Sequence, residues 1–404
     1  MRNRVLIGVG GGIAAYKVCD LVSALAKAGV EIRVIMTASA TQFIPPLTLS
    51  TLARHPVYTD GEFWHPAQPR PLHIALGEWA DVILLAPVTA NRLAKLAHGF
   101  ADDLLTNTIL ASTAPVLLAP AMNTVMWEQP VVQANWQALL TQNRFHGVGP
   151  EAGILACDAV GPGRLASLET LEAAVQSLRW TGGARDFQGE TLLISAGGTR
   201  EHWDPVRFIG NPATGKMGVA LATAAMHRGG RVQLVAGPGV QVPLGLAVES
   251  EAVVSADQMQ AALKARFPQA AITIMAAAVA DVRPAQYSDQ KQPKAALPSA
   301  LALAAVPDIV QALVASKQPH QRVIGFAAQS GEIVVPAQEK LMRKGLDAIV
   351  ANPIDVPEAG FGSDRNQAVW LDRTGAQVVL PLVDKLTLAH QILDLIRDLK
   401  SAPS

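Results

Sequence analysis

Gly10-Gly-Gly-Ile-Ala-Ala15 fits the pattern G-x-G-x-x-A directly after an apolar run, so the backbone N–H groups of Gly11, Gly12 and Ile13 at a helix start can hold a phosphate. A dinucleotide site also needs an Asp or Glu about 20 residues on, at the end of the next strand, to bind ribose hydroxyls. That position reads Met36-Thr37-Ala38-Ser39, with hydroxyls in place of a carboxylate. The turn is therefore shaped for a mononucleotide, and NAD takes second place. A second glycine turn, Ser195-Ala-Gly-Gly-Thr-Arg-Glu201, is followed by Asn211-Pro-Ala-Thr-Gly-Lys-Met-Gly218. Thr214-Gly-Lys216 suggests a Walker loop, but the earlier glycine is missing at the required spacing, which argues against a P-loop NTPase. No HExxH and no CxxC occurs, so a structural zinc is not expected.

Parallel α/β layers are the elements that can position such turns. Arg4 to Val9, Glu31 to Met36, Val82 to Pro87 and Pro115 to Pro120 read as buried strands with helices between them. Val18, Leu21, Val22 and Leu25 lie at helical spacing after the first turn, and Gly29 ends that helix. A second series runs through Glu190 to Ser195, Arg231 to Ala236, Ala271 to Met275, Arg322 to Phe326 and Asp347 to Ala351, closed by a helix with Ile392, Leu395, Ile396 and Leu399 on one face. The expected architecture is two doubly wound, Rossmann-like α/β domains, residues 1–180 and 190–404, joined by a linker over 181–189.

A chain of 404 residues suits two such domains. Half of it is hydrophobic and only 16% is charged, against roughly 25% in an average domain, so part of the surface is expected to meet other subunits. Formal net charge is zero, with no block of like charge, which disfavours a nucleic-acid or anionic-membrane partner and favours small polar substrates. Two distant cysteines, Cys19 and Cys157, point to a reducing compartment, the cytoplasm. The run Val5 to Tyr16 is broken by glycines as a strand and turn would be, rather than a leader, and no apolar stretch reaches membrane-spanning length.

Three further segments share one signature: Leu72-His-Ile-Ala-Leu-Gly-Glu-Trp-Ala-Asp81, Ala86-Pro-Val-Thr-Ala-Asn91 and Pro120-Ala-Met-Asn-Thr-Val-Met-Trp127. With them the chain resembles the flavin-dependent cysteine decarboxylases, specifically the bacterial bifunctional phosphopantothenoylcysteine decarboxylase/phosphopantothenate-cysteine ligases. The resemblance extends through Asp204-Pro-Val-Arg-Phe-Ile-Gly-Asn211, Ala276-Ala-Ala-Val-Ala-Asp281, Pro307-Asp-Ile-Val310 and Gly325-Phe-Ala-Ala-Gln329, with Lys340 and Lys344. It implies a flavodoxin-like first domain that decarboxylates 4'-phosphopantothenoylcysteine to 4'-phosphopantetheine with FMN. It implies a second domain that joins 4'-phosphopantothenate to cysteine with CTP and Mg2+.

For the first domain the resemblance implies His73 as base, Asn123 as carboxylate ligand, and Gly11, Gly12, Ile13, Thr37, Thr89 and Asn91 around FMN. Loss of CO2 needs an electron sink, which oxidation of the neighbouring CH2–SH supplies through a flavin that later returns the hydride. Cys157, in Leu155-Ala-Cys-Asp-Ala-Val-Gly-Pro-Gly-Arg164, matches the proton donor of a mobile flap; an unperturbed thiol of pKa about 8.5 is protonated at neutral pH and suits that task. Each residue also has a plain reading: an exposed or capping His73, an Asn123 that caps a helix, a Cys19 packed in the core.

For the second domain the resemblance implies CTP contacts by Ala276, Ala277, Asp281, Lys291, Pro307, Asp308, Ile309, Val310, Phe326, Lys340 and Lys344. It assigns Lys291 to formation of an acyl-cytidylate and Asn211 to the attack of cysteine on it. The plain reading of each lysine is a solvated charge. Against the family pattern, Gly10 stands for serine, Asp102 for asparagine, Gly198 for proline and Gln329 for glutamate. The family also implies trimers assembled to dodecamers, with shared flavin sites and paired ligase domains. Two alternatives are a regulatory flavoprotein subunit without turnover and an NAD-dependent oxidoreductase.

Overall fold

A computed structural model describes residues 2–65, 70–243, 245–294, 297–356, 358, 360 and 362–399. The chain divides into two compact units, Met1–Ala184 with Pro243–Leu246, and Arg185–Val242 with Ala247–Ser404.

In the first unit β1 (Arg4–Val9), β2 (Glu31–Met36), β3 (Val57–Tyr58), β4 (Val82–Val88), β5 (Val116–Pro120) and β6 (Phe145–Gly147) form one sheet in the order β3-β2-β1-β4-β5-β6. Every pairing in it is parallel. Without the two-residue β3 the order is that of flavodoxin, and the strand order reverses between β1 and β4, the kind of switch point at which open α/β sheets bind ligands. All seven residues of β4 are buried, which is why its sequence is an unbroken apolar run and not an alternation. Helices Ala15–Lys27 and Leu168–Thr181 cover one face, where Leu21 and Val22 share a core with Val175 and Leu178. Leu76, Leu105 and Trp136 cover the other. Truncating the fully buried Leu21 to alanine is expected to cost about 2–5 kcal/mol. A hairpin of β7 (Glu151–Ile154) and β8 (Val160–Arg164) follows the sheet.

The second unit comprises β9 (Thr191–Ala196), β10 (Arg200–His202), β11 (Phe208–Gly210), β12 (Arg231–Ala236), β13 (Glu249–Ala252), β14 (Ile272–Met275), β15 (Val282–Pro284), β16 (Leu303–Ala305), β17 (Arg322–Gln329), β18 (Ala348–Pro353), β19 (Arg365–Asp372) and β20 (Gln377–Asp384). Its main sheet runs β13-β12-β9-β14-β17-β18-β19-β20, parallel as far as β18 and antiparallel beyond. Helices Lys216–His227 and Lys385–Asp398 share one core through Leu221, Leu388 and Ile392. Helices Ala256–Arg266, Ile309–Ala315 and Val334–Lys344 fill the opposite one through Leu263, Leu313 and Leu341.

The segment expected as a linker is partly structure. Helix Leu168–Thr181 runs into it and ends at Gly182 with φ 65°. Phe187 is 2% exposed in the second core, and the Asp186 carboxylate takes a bond of 2.7 Å from Arg228 Nε. Arg228 is buried, and Asp394 at 2.7 Å supplies its second carboxylate, so this interior charge is paired. Among the described residues no helix is long and apolar enough to cross a membrane.

Candidate functional site

In the first unit the glycine turn is pressed between two others. A Cβ on Gly10 would lie 2.3 Å from the Pro87 carbonyl oxygen, and one on Gly11 would lie 2.2 Å from Ser39 Cβ, while Gly12 borders open space. Serine at position 10 would thus displace the end of β4, which gives a local reason for glycine there. Thr37 is buried, and its hydroxyl accepts the Ala40 N–H at 3.2 Å. Thr89 caps helix Ala90–His98 by accepting the Arg92 N–H at 3.3 Å. A hydroxyl that accepts from backbone keeps its own proton to donate, so both threonines can still serve a phosphate or a flavin oxygen. Asn91 is exposed on the first turn of the helix that follows β4, and Ile13 is exposed in the turn just before helix Ala15–Lys27. Asp102 is engaged by Lys95 at 2.6 Å, next to the buried Arg92–Asp103 pair at 2.6 Å.

Asn123 and Cys157, 34 residues apart, are brought into contact. Asn123 Oδ1 caps helix Thr124–Glu128 by accepting the Val125 N–H at 2.9 Å, and its Nδ2 donates to Cys157 Sγ at 3.3 Å. Capping and ligand binding therefore use different atoms of one amide. Glycines in β8 make this possible. Gly163 has φ 150°, its carbonyl accepts the Met122 N–H at 3.0 Å, and a Cβ there would lie 2.3 Å from the Met122 carbonyl oxygen. Cys157, at the exposed hairpin tip, is not the unperturbed thiol that the sequence suggests. A backbone hydrogen bond with Ala159 and then the Asn123 amide lower its pKa. A thiol so placed releases its proton more readily, which strengthens it as an acid, though less of it is protonated at neutral pH.

His73 opens helix Leu72–Trp79, its ring edge-on to Phe63 at 5.4 Å. Its Nδ1 is buried without a hydrogen-bond partner, and the side chain hydrogen-bonds neither Asn123 nor Cys157. An orphaned buried nitrogen is costly unless a ligand completes it.

In the second unit the equivalent crevice, at the carboxyl ends of β9 and β14, is a cleft of about 520 Å³. It gathers Asn211, Ala276, Ala277, Asp281, Pro307, Asp308, Ile309, Val310, Phe326, Lys340 and Lys344. Asn211 Nδ2 donates to the Ala278 and Val279 carbonyls at 3.4 and 3.3 Å. A Cβ on Gly198 would come within 2.6 Å of the Asn211 carbonyl oxygen, so the glycine lets this loop close. Lys340 donates to the Phe326 carbonyl at 3.0 Å; burial, then Lys344, lowers its pKa against the pull of Asp281 and Asp308. Burial alone would raise the pKa of Asp308, but the Gln311 N–H at 3.0 Å and Lys344 at 3.1 Å outweigh it and hold the carboxyl below its ordinary value.

Lys291, which is exposed, and Gln329, half-buried at the end of β17, both lie outside this lining. The segment that carries Lys291 is anchored from beneath. The Ser288 N–H donates to the Trp203 carbonyl at 2.9 Å, the Gln292 N–H reaches Asp204 at 3.4 Å, and Arg207 Nη1 donates to the Gln292 carbonyl at 3.2 Å. Asp204 is fully buried. Burial would raise its pKa, but the N–H groups of Val206 and Arg207 and the Arg207 guanidinium at 2.6 Å bring it down to about 2. Lys216, Lys385 and Asn366 are among the cleft residues to which the sequence reading gave no role. For Lys216 a signal existed, the Thr214-Gly-Lys216 run set aside as a false Walker loop.

Comparison with known proteins places these two sites in context. Residues 1–179 match the family model described as Flavoprotein, and residues 187–399 match the DNA/pantothenate metabolism flavoprotein C-terminal domain. The coenzyme A biosynthesis bifunctional protein CoaBC of Bacillus subtilis (strain 168) is 43% identical over 396 residues, covering 97% of this chain and 96% of its own. That of Vibrio vulnificus (strain CMCP6) is 40% identical over 399 residues, covering 98% of each. That of Escherichia coli (strain K12) is 39% identical over 395 residues, covering 97% and 96%.

Proposed function

The chain belongs to the family of coenzyme A biosynthesis bifunctional proteins, and from that premise we propose what each unit does. It is an enzyme with ligase and decarboxylase activities in coenzyme A biosynthesis. The second unit joins 4'-phosphopantothenate to cysteine through an acyl-cytidylate made from CTP, and the first decarboxylates the product to 4'-phosphopantetheine. The observation that carries this reading is the cleft of the second unit, where Asn211, Asp281, Asp308, Phe326, Lys340 and Lys344 converge at a sheet's switch point. Mg2+ arrives on the phosphates of CTP, as it commonly does. Lys291 reaches the nucleotide from its anchored segment.

In the first unit FMN fits the turn of Gly10, Gly11 and Gly12, where added Cβ atoms would meet Pro87 and Ser39, with Thr37 and Thr89 as donors. When bound, the flavin supplies the hydride acceptor and donor that make the carboxylate labile. His73 takes the thiol proton of the substrate on its free nitrogen. The Asn123 Nδ2 binds the carboxylate, and Cys157 then protonates the carbon that CO2 leaves. The flavin sites are completed by a second copy in a homo-oligomer, a reading the low charge content of the chain favours. Two free thiols suit the reducing cytoplasm. Purified protein is expected to be yellow, to release pyrophosphate from CTP only with 4'-phosphopantothenate, and to release CO2 from 4'-phosphopantothenoylcysteine. A colourless preparation unable to bind FMN sinks the first assignment, and absence of CTP-dependent pyrophosphate sinks the second.

A further inference from the structure

Resting on the reading of the second cleft as a CTP site, we propose that Lys216 and Lys385 hold the triphosphate of the nucleotide and that its base lies toward Lys340 and Lys344. The ligand then lies across the sheet's end from one helical layer to the other. Both new lysines line the cleft and open their helices, Lys216–His227 and Lys385–Asp398, which share one core. Lys340 and Lys344 belong to Val334–Lys344 in the opposite layer. The two ammonium pairs thus enter one cavity from two sides.

Their counter-charges differ. Lys340 and Lys344 stand with two carboxylates, Asp281 and Asp308, so that end offers a polyphosphate little net attraction. The Lys216 and Lys385 end has one, Asp364, whose side chain is 86% exposed and pairs with Lys216 at 2.7 Å. A solvated ion pair contributes little and is readily exchanged for phosphate oxygens. The lysines are also aimed by the loop before β19: Lys216 donates to the Gly362 carbonyl at 2.9 Å, and Lys385 donates to the Ser363 carbonyl. Burial, then the nearby Lys216 charge, lowers the pKa of Lys385, a conflict that an anion between the two ammoniums removes.

Calorimetric titration of the full-length protein with CTP, CDP and CMP tests this. Lys216→Ala is expected to weaken CTP about tenfold, the loss of one charge-assisted hydrogen bond, and CMP by less than about twofold. Asp364→Asn, which removes the competing carboxylate, is expected to tighten CTP and leave CMP unchanged. Lys385→Met also cuts the bond to Ser363, so the other two variants decide. Equal losses for CTP and CMP in Lys216→Ala, or weaker CTP binding in Asp364→Asn, overturns the proposal. Wild-type protein that binds none of the three nucleotides overturns the CTP reading itself.

Discussion

In the second unit, loops and helix ends from both sheet layers close on one cleft, and most of the expected contact residues line it together. In the first, built on the same arrangement of strands about its switch point, the reactive groups are dispersed: an orphaned imidazole at one helix start, and a thiol held by an amide at a hairpin tip. A crevice that collects charge from two layers can select its ligand within one chain. An exposed hairpin carrying a thiol needs a further wall to exclude water, and the proposed oligomer provides it.

If the two sites are this independent, substitutions should silence one and spare the other. His73→Ala is expected to lower CO2 release by about 10²–10⁴-fold, the range of general acid–base catalysis, while CTP-dependent pyrophosphate release stays at wild type. Loss of both in single-activity assays would break the comparison. Gly163→Ala forces a Cβ against the Met122 carbonyl at a positive φ, so the hairpin must move. Decarboxylation is expected to fall by about 10–100-fold, as a misplaced group costs, with the yellow colour retained.

Smaller effects sharpen the contrast further. Asp204→Asn removes the charge that ties the Lys291 segment to its base, and trypsin is expected to cut at Lys291 several-fold faster, roughly as local opening becomes easier. Because the folded pKa of Asp204 is depressed to about 2, its stabilisation is present above the ordinary carboxylate pKa and is lost as pH falls through about 2. Wild type and Asp204→Asn should therefore differ in urea stability at pH 7 and converge near pH 2. The least effect is expected from Asn123→Ala, which should raise the Cys157 pKa toward that of a free thiol while leaving the Ala159 bond in place. The pH profile of thiol alkylation reads that shift, and an unchanged profile would show that the amide does not act on the sulfur.

Buried parallel strands are legible because burial on both faces demands continuous apolar runs, and the expected ends of β1, β2 and β12 coincide with the observed ones. Strands β7, β8, β19 and β20 were not legible. The first two are glycine-rich sequence whose strand character comes from pairing with each other, with β8 lying on Met122 and Thr124, and the last two form an antiparallel edge outside the β/α alternation. Among site residues, those inside contiguous motifs could be read. Lys385 could not, since it precedes an ordinary amphipathic helix and meets the cleft only through tertiary structure. The Cys157 environment was hidden for the same reason: its partner Asn123 is met only because the hairpin packs against helix Thr124–Glu128.

The cleft between the two layers has one more consequence, a thermodynamic one. A nucleotide that binds groups on both helical layers binds only while both layers are folded, so its binding free energy adds to the cooperativity of the whole unit. At a hundred times its dissociation constant such a ligand adds about 2.7 kcal/mol to stability. If the cleft holds the proposed nucleotide, the melting temperature of the second unit reports its supply, and a cell depleted of it would hold this enzyme in its least durable form.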